Sequence, residues 1–211
     1  MNNNEQNKAK PKVVYLHGLA SSGSSNTARL LRTLLPEADV IAPDITVDSV
    51  EAMTMLKELG KTLPADTIIV GTSMGAFYTQ MMHGWRRILV NPSFHTSDVI
   101  LRPNFGNSMP YLQKRLNGDS HYDITEQLCK DVEYVEAHQF DTDFGVHGPL
   151  PESADLVQAY FGDNDTTVNC RDEYLTHYYK FDIFKGTHQL DPNTIENIIV
   201  PQIRKLLSTP L

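Results

Sequence analysis

The sequence is poor in cysteine and in basic residues, and it has no long apolar run. Its two cysteines, Cys129 and Cys170, belong to no Cys-x-x-Cys or Cys-His pattern, which predicts buried, reduced thiols and neither a disulfide framework nor a zinc site. Eighteen Lys and Arg against 26 Asp and Glu give a net charge of −8, which argues against nucleic acid or an anionic membrane as a partner. Without a membrane-spanning run or a signal peptide, we expect a cytoplasmic protein.

The length of 211 residues suits one well-packed domain. Residues 1–11 are polar and rich in Asn, and we expect them to be a disordered tail because they offer no apolar surface to offset the cost of ordering. Residues 12–211 are expected to form a single domain.

Short apolar runs alternate with stretches in which apolar residues recur at helical spacing. This alternation predicts an α/β fold, with a doubly wound, mainly parallel sheet of about six strands and helices on both faces. The predicted strands are 13–16, 39–44, 67–70, 88–90, 156–161 and 179–184. The predicted helices begin after Ser24 or Ser25, after Asp48, at Met74, near Cys170 and after Asp191, the last with a kink at Pro201.

The alternation is interrupted by an insertion over about residues 96–150. Two helices are predicted within it, at 109–116 and at 124–138, the second with Asp123 as its N-cap. An insertion between two strands of such a sheet is expected to lie over the carboxyl edge, where ligands bind in open α/β folds. We therefore expect a helical lid.

The pentapeptide Gly71-Thr72-Ser73-Met74-Gly75 follows a predicted strand and opens a predicted helix. This is the order of a nucleophile elbow, a sharp turn that presents a reactive serine. Glycines flank the serine because a larger side chain there would collide with the neighbouring strand and helix. Ser73 is the candidate nucleophile.

An acyl-transfer serine needs a base and a carboxylate that orients the base. His188 lies in a Gly-x-His loop after the last predicted strand, and Asp165 lies in the Gly162-x-x-Asp165 loop before it. Asp163 is the alternative acid. The chain order Ser, Asp, His is typical of α/β-hydrolases and differs from the orders in the chymotrypsin and subtilisin folds.

Two backbone N–H groups are candidates for an oxyanion hole: that of Met74, which opens the helix after the elbow, and that of Leu19, in the loop after the first strand. His17, Asn91 and Ser93 are candidate substrate-binding residues at the same edge. For His17 the favoured role is to shape the loop that carries Leu19, here called the oxyanion loop. For Asn91 and Ser93 the favoured role is to fix a turn, and a substrate contact is the alternative.

Metal-capable side chains occur together at His138, Asp141, Asp143 and His147. Their spacing matches no common ligand pattern, so we expect a solvated loop and no metal site.

The segments His17-Gly18-Leu19 and Gly71-Thr72-Ser73-Met74-Gly75, together with Asp165 and His188, resemble those of the α/β-hydrolase superfamily. Tyr15-Leu16-His17-Gly18 and Leu89-Val90-Asn91-Pro92 further resemble the compact YqiA/YcfP-like (UPF0227) esterase family. The resemblance implies a serine hydrolase with a Ser-His-Asp triad, active on esters or thioesters, and a first strand beside the elbow strand. The chain departs from the family pattern after Asn91-Pro92, where Ser93-Phe94-His95 stands in place of a small residue and then a basic one.

These features predict hydrolysis of a carboxylic ester or thioester of a small or acyl-chain substrate, through an acyl-enzyme and without a cofactor. Two alternatives stay open at this point: a non-catalytic binding protein with the hydrolase fold, or the same triad acting on a peptide, an amide or a carbon–carbon bond. Residues 96–150 are expected to decide the substrate. The oligomeric state is not predicted.

Overall fold

The protein is described by a computed structural model that covers residues 9–211. Most of the expected tail, residues 1–11, lies outside the described residues, so its disorder stays a prediction. No helix in residues 9–211 is both long enough and apolar enough to cross a membrane.

A six-stranded parallel sheet forms the centre of the molecule, as the sequence predicts. Its strand order is β10-β9-β5-β3-β1-β2, and every neighbouring pair is parallel. The strands, in chain order, are β1 (Lys12–Leu16), β2 (Asp39–Ile41), β3 (Ile68–Thr72), β4 (Met82–His83), β5 (Arg86–Val90), β6 (Ser108–Pro110), β7 (His121–Asp123), β8 (Val146–His147), β9 (Val157–Gly162) and β10 (Phe181–Phe184).

Helices cover both faces of this sheet. They are α1 (Asn26–Leu34), α2 (Ser49–Gly60), α3 (Met74–Gln80), α4 (Glu126–His138), α5 (Arg171–His177), α6 (Pro192–Thr194) and α7 (Val200–Ser208), and a π-helical turn, Ile195–Ile199, joins the last two. Successive residues of β1 enter opposite layers: Val14 packs with residues of α2, α3, α4 and α5, and Tyr15 with residues of α1 and α7. This alternation follows from the period of two in a strand and explains why β1 reads as a continuous apolar run.

The elbow strand β3 lies between β1 and β5, with Leu16 opposite Gly71 and Thr72 opposite Val90. The first strand is therefore beside the elbow strand, as the family resemblance implies. Because all six strands are parallel, the loops that follow β1, β3, β5, β9 and β10 meet at one carboxyl edge. That edge carries every candidate site residue.

The predicted helix at 109–116 is wrong, because this segment begins as a strand. β6 and β7 form an antiparallel hairpin in which Met109 pairs with Tyr122, and the rings of Tyr111 and Tyr122 lie 5.1 Å apart. Leu112 and Leu116, which the helix would have buried, are 66% and 88% exposed. Short apolar runs suit a strand or a helix equally well, and here the cross-strand aromatic pair decides.

The second helix of the insertion is confirmed, but its predicted N-cap, Asp123, is wrong. Helix α4 begins at Glu126, and the Thr125 hydroxyl accepts a hydrogen bond from the Leu128 N–H at 3.1 Å. Ile124 instead extends the hairpin, since its N–H donates to the Asn107 carbonyl. Asp123 and Thr125 are both favourable N-cap residues. Because Asp123 and Ile124 belong to the hairpin, the helix begins after Thr125.

Two other helices differ in detail from the prediction. The elbow helix stops at Gln80, and the next residues form β4, which pairs with β8 of the insertion. The last helix widens into the π turn just before Pro201, whose ring nitrogen has no hydrogen to donate. The predicted N-caps Ser25, Asp48 and Asp191 are confirmed, and both cysteines are free and buried.

Candidate active site

Ser73 lies at the sharp turn between β3 and α3. Its φ of 55° and ψ of −121° are rarely adopted by a residue with a side chain, and such strain concentrates at functional sites. A Cβ at Gly71 would lie 2.2 Å from Thr79 Oγ1, and one at Gly75 would lie 2.0 Å from the Leu16 carbonyl oxygen. Both glycines are thus required by close packing, as the elbow interpretation predicts.

Ser73, His188 and Asp165 form a continuous chain of hydrogen bonds. His188 Nε2 lies 2.9 Å from Ser73 Oγ, and His188 Nδ1 lies 2.8 Å from Asp165 Oδ2. A carboxylate can only accept, so Nδ1 carries the proton and Nε2 presents its lone pair to the serine hydroxyl. The side chains of His188 and Asp165 are only 18% and 6% exposed, which limits competition from water.

The two candidate acids have different partners. The second carboxylate oxygen of Asp165 accepts the N–H groups of Thr167 and Val168, which fixes the side chain toward His188. Asp163 Oδ1 instead accepts the N–H of Gly186 at 3.0 Å. Asp163 therefore braces the loop that precedes the histidine, and Asp165 is the acid in contact with it.

The two candidate oxyanion donors are the N–H groups of Leu19 and Met74. In each case the carbonyl of the same peptide unit accepts hydrogen bonds that fix the unit's orientation. The Gly18 carbonyl accepts from His17 Nδ1 and from the Ser21 N–H, and the Ser73 carbonyl accepts from the N–H groups of Ala76, Phe77 and Ser93. Because a trans peptide directs its N–H opposite to its C=O, these bonds fix the directions of the Leu19 and Met74 N–H groups. Within residues 9–211 neither N–H donates to another group, so both are free to bind an oxyanion.

His17 is fully buried and has both ring nitrogens engaged. Its Nδ1 donates to the Gly18 carbonyl at 2.8 Å, and its Nε2 accepts the Ile45 N–H at 2.9 Å. Burial lowers the pKa of His17 to about 4, so the ring is neutral at pH 7. The structure thus gives His17 the loop-shaping role, and its ring has no nitrogen left for a substrate.

This buried neutral histidine makes folding stability depend on pH. In the unfolded chain a histidine has a pKa near 6.5, so acidification protonates the unfolded state before the folded one and lowers the free energy of unfolding. With a folded pKa of about 4, His17 should account for about 2 kcal/mol of lost stability between pH 7 and pH 5. Urea unfolding at both pH values checks this.

The matched variants are His17→Gln and, at an exposed site, His121→Gln. His17→Gln is expected to be less stable than the wild type at pH 7, with a difference about 2 kcal/mol smaller at pH 5. His121→Gln should keep the wild-type pH dependence. An equal pH dependence in all three proteins would contradict the assignment.

Asn91 connects the loop of His188 to the sheet. It has a φ of 45°, its Nδ2 donates to the carbonyls of Thr187 (3.0 Å) and His188 (3.1 Å), and its Oδ1 accepts the Gly162 N–H. Both the nitrogen and the oxygen of the amide are bound to backbone groups, which agrees with the favoured turn-fixing role and not with the alternative of a substrate contact. The sequence showed its place at the sheet edge but not its partners.

Ser93 is also buried and occupied. Its hydroxyl lies 3.1 Å from Thr96 Oγ1, and its N–H donates to the Ser73 carbonyl. The side chain does not line the cavity beside Ser73. The structure therefore agrees with the favoured turn-fixing role of Ser93 and not with a substrate contact.

Sequence reasoning missed residues 112–116, here called the anchor segment, which bind the oxyanion loop. The Leu112 N–H donates to the Ala20 carbonyl, and the buried Arg115 donates to the carbonyls of Ser21 and Ile45. Asp44 accepts the N–H groups of Gly23 and Leu116. Burial alone would raise the pKa of Asp44, but these hydrogen bonds outweigh it, so the pKa is lowered.

Two of the metal-capable residues of the insertion have neighbours outside a common cluster. His138 Nδ1 lies 2.8 Å from Asp141 Oδ2 on the surface, and His147 is paired with His83 in the short β4–β8 ladder. In the part of the chain that the structure describes, no three His, Cys, Asp or Glu residues are grouped to hold an ion.

A cavity of about 380 Å³ opens beside Ser73 and His188. Its walls come from the oxyanion loop, the first turn of α1, the insertion and the loop after His188. The serine hydroxyl, the histidine and the Leu19 peptide are thus at the border of a space large enough for a small ligand.

Comparison with known proteins supports the fold. The Uncharacterised protein family (UPF0227) matches residues 12–190, and no curated protein matches the chain. Among solved structures, Est1E from Butyrivibrio proteoclasticus is similar with a TM-score of 0.60 and 12% identity, over 97% of this chain and 91% of that one.

Two further structures are similar over nearly the whole chain. A monoacylglycerol lipase from Paleococcus ferrophilus has a TM-score of 0.62 and 16% identity, over 95% of this chain and 96% of that one. FphF, a fluorophosphonate-binding serine hydrolase from Staphylococcus aureus, has a TM-score of 0.58 and 13% identity, over 99% and 88%. At these identities the likeness establishes the α/β-hydrolase fold.

Proposed function

The chain belongs to the UPF0227 family, and we propose that it is a serine hydrolase that cleaves carboxylic esters or thioesters through an acyl-enzyme. The observation that carries this proposal is the unbroken hydrogen-bond chain from Ser73 through His188 to Asp165 at the border of a cavity. Similar folds in an esterase, a lipase and a serine hydrolase are consistent with it.

The first half of the reaction forms the acyl-enzyme. His188 Nε2 takes the proton of Ser73 as Oγ bonds to the acyl carbon, and the carbonyl oxygen becomes an oxyanion that the Leu19 and Met74 N–H groups hold. Asp165 stabilises the imidazolium. His188 then gives its proton to the departing alcohol or thiol as the carbonyl re-forms.

The second half releases the acyl group. His188 Nε2 deprotonates a water molecule that attacks the acyl carbon, the same N–H groups hold the second oxyanion, and the proton returns to Ser73 Oγ as the acid leaves. Each step uses groups that the chain itself supplies, so the mechanism calls for no cofactor.

Hydrolysis of p-nitrophenyl acetate tests the proposal. An acyl-enzyme predicts a burst of p-nitrophenol of about one equivalent per protein, followed by slower steady turnover, if deacylation limits the rate. Turnover of an anilide in preference to its ester would favour the amide alternative. Failure to hydrolyse any ester or thioester, combined with tight retention of one, would favour a binding protein.

Asn91 is expected to affect this reaction through the position of His188. Asn91→Gly tolerates the positive φ but frees the carbonyls of Thr187 and His188, so kcat should fall about 10- to 100-fold with little change in KM, because small displacements of a catalytic base are costly. The kcat of Asn91→Asp should be lower still, because its carboxylate would face the carbonyl oxygens of Thr187 and His188. Steady-state kinetics check this, with Asn117→Gly in an exposed turn as the control.

The opposite pattern would contradict this role. A raised KM with an unchanged kcat in Asn91→Gly would return Asn91 to the substrate contact that the sequence suggested.

A further inference from the structure

The lining of the cavity beside Ser73 limits which substrate groups can bind there. Among the described residues that line it, none is Lys, Arg, Asp or Glu. A substrate with several phosphates or carboxylates would find no opposite charge there, and burying such groups unpaired is costly. An uncharged group therefore suits this cavity better than one with several charges.

Buried hydroxyl groups line the cavity. Tyr15 is 3% exposed, its hydroxyl lies 3.0 Å from Thr72 Oγ1, one residue before the nucleophile, and the hydroxyls of Ser25 and Thr27 are also within its hydrogen-bonding reach. These four hydroxyls have four hydrogens, and the three bonds to Tyr15 use three of them, so one hydrogen is available to another acceptor. Burial raises the pKa of Tyr15, which keeps its hydroxyl protonated.

A second donor lies on the insertion side. Ser21 Oγ donates to Gln113 Oε1 at 2.8 Å, which fixes the amide of Gln113 across the oxyanion loop. Within residues 9–211, Gln113 Nε2 has no acceptor, and the residue lines the cavity. Two sets of hydrogen-bond donors, the hydroxyls of Tyr15 and Thr72 and the amide of Gln113, thus line the same cavity as Ser73.

An unbranched alkyl chain would leave these donors without partners when it displaced water, at a cost that an oxygen-containing chain avoids. We propose that the cavity takes a short, uncharged acyl or alcohol group with an ether or hydroxyl oxygen, which Tyr15, Thr72 and Gln113 recognise. This proposal rests on the proposed function. The esters favoured are small oxygenated ones, and fatty-acyl esters and thioesters of large anionic carriers are disfavoured.

Isosteric pairs of esters test this proposal. On the acyl side, p-nitrophenyl methoxyacetate is compared with p-nitrophenyl butanoate, and on the alcohol side, 2-methoxyethyl acetate with butyl acetate. Each kcat/KM is divided by the rate constant for hydroxide hydrolysis of the same ester, which removes the intrinsic reactivity. The wild type should prefer the oxygenated member of at least one pair by about fivefold, the size of one hydrogen bond.

Two variants identify the donors. Gln113→Leu, at a half-buried position, and Tyr15→Phe, in the core, should each move the ratio of the normalised kcat/KM values of the oxygenated and alkyl esters toward one. Tyr179→Phe, an exposed tyrosine remote from the cavity, should keep the wild-type preference. If Tyr15→Phe lowers the stability of the core, the change in ester preference can still be measured with Gln113→Leu.

The outcomes separate this inference from the proposed function. Ester turnover with equal normalised kcat/KM values within both pairs, or with a preference for the alkyl member of both pairs, would overturn the oxygenated substrate class while leaving the hydrolase in place. A preference unchanged in both variants would overturn the assigned donors. No turnover of any ester and no labelling by a fluorophosphonate would overturn both proposals.

Discussion

Replacing Ser73 with alanine is expected to lower kcat for ester hydrolysis by about 10⁴-fold or more. The variant loses the atom that bonds to the acyl carbon, and what remains is the contribution of the oxyanion donors and of binding, which in serine hydrolases is about 10³- to 10⁴-fold over water. Steady-state hydrolysis of p-nitrophenyl acetate measures the loss, and the burst of p-nitrophenol should vanish with it.

The control for this variant is Ser120→Ala, at an exposed serine beside β7. It should hydrolyse the same ester within about twofold of the wild type, because surface substitutions remote from a site have small effects. The elbow is closely packed, so the fold of Ser73→Ala should be verified by its urea midpoint. A folded Ser73→Ala protein that retains more than a tenth of the activity would contradict the role of Ser73.

Asp165→Asn is expected to have the second largest effect, a loss of about 10³- to 10⁴-fold in kcat. An amide at this position can donate its N–H₂ to His188 Nδ1, which leaves the ring proton on Nε2, and that nitrogen then cannot accept the serine proton. The substitution alters the 2.8 Å hydrogen bond between Asp165 Oδ2 and His188 Nδ1. Steady-state kinetics with p-nitrophenyl acetate measure the loss in kcat.

Asp163→Asn is the matched control in the same loop. Its amide oxygen can still accept the Gly186 N–H that Asp163 holds, so its kcat should stay within about tenfold of the wild type. A large loss in Asp163→Asn together with near-normal activity in Asp165→Asn would reverse the assignment and make Asp163 the functional acid.

The alternation of elements could be predicted from the sequence because each unit has a local cause. A strand that is buried on both faces appears in the sequence as an apolar run. A helix appears as apolar residues at helical spacing, and here Ser25, Asp48 and Asp191 mark three helix starts as N-caps. Parallel strands then bring their following loops to one edge. Ser73, Asp165 and His188 meet there as a consequence of chain order.

The insertion could not be predicted in the same way, since its structure depends on distant contacts. Met109, Leu112 and Leu116 have the spacing of one helix face, but the pairing of Met109 with Tyr122 of β7 makes the segment a hairpin. Arg115 reads as a surface residue, yet it is 4% exposed because the carbonyls of Ser21 and Ile45 accept its guanidinium. Neither partner is near in sequence.

The same limit applies to side-chain roles at the sheet edge. His17 and Asn91 were placed correctly at that edge, but whether they face a ligand or the backbone depends on carbonyls that no local pattern reveals. In the structure those carbonyls belong to Gly18, Thr187 and His188. Both residues therefore support the loops of the candidate catalytic groups, and other residues line the cavity beside Ser73.

Site-resolved labelling with a fluorophosphonate tests whether Ser73 is the nucleophile. A nucleophilic Ser73 should give one phosphonyl adduct per protein by intact mass, located on Ser73 by peptide mapping, and no adduct in Ser73→Ala. Absence of any adduct from the folded wild type, or an adduct on another residue with Ser73 unmodified, would contradict it.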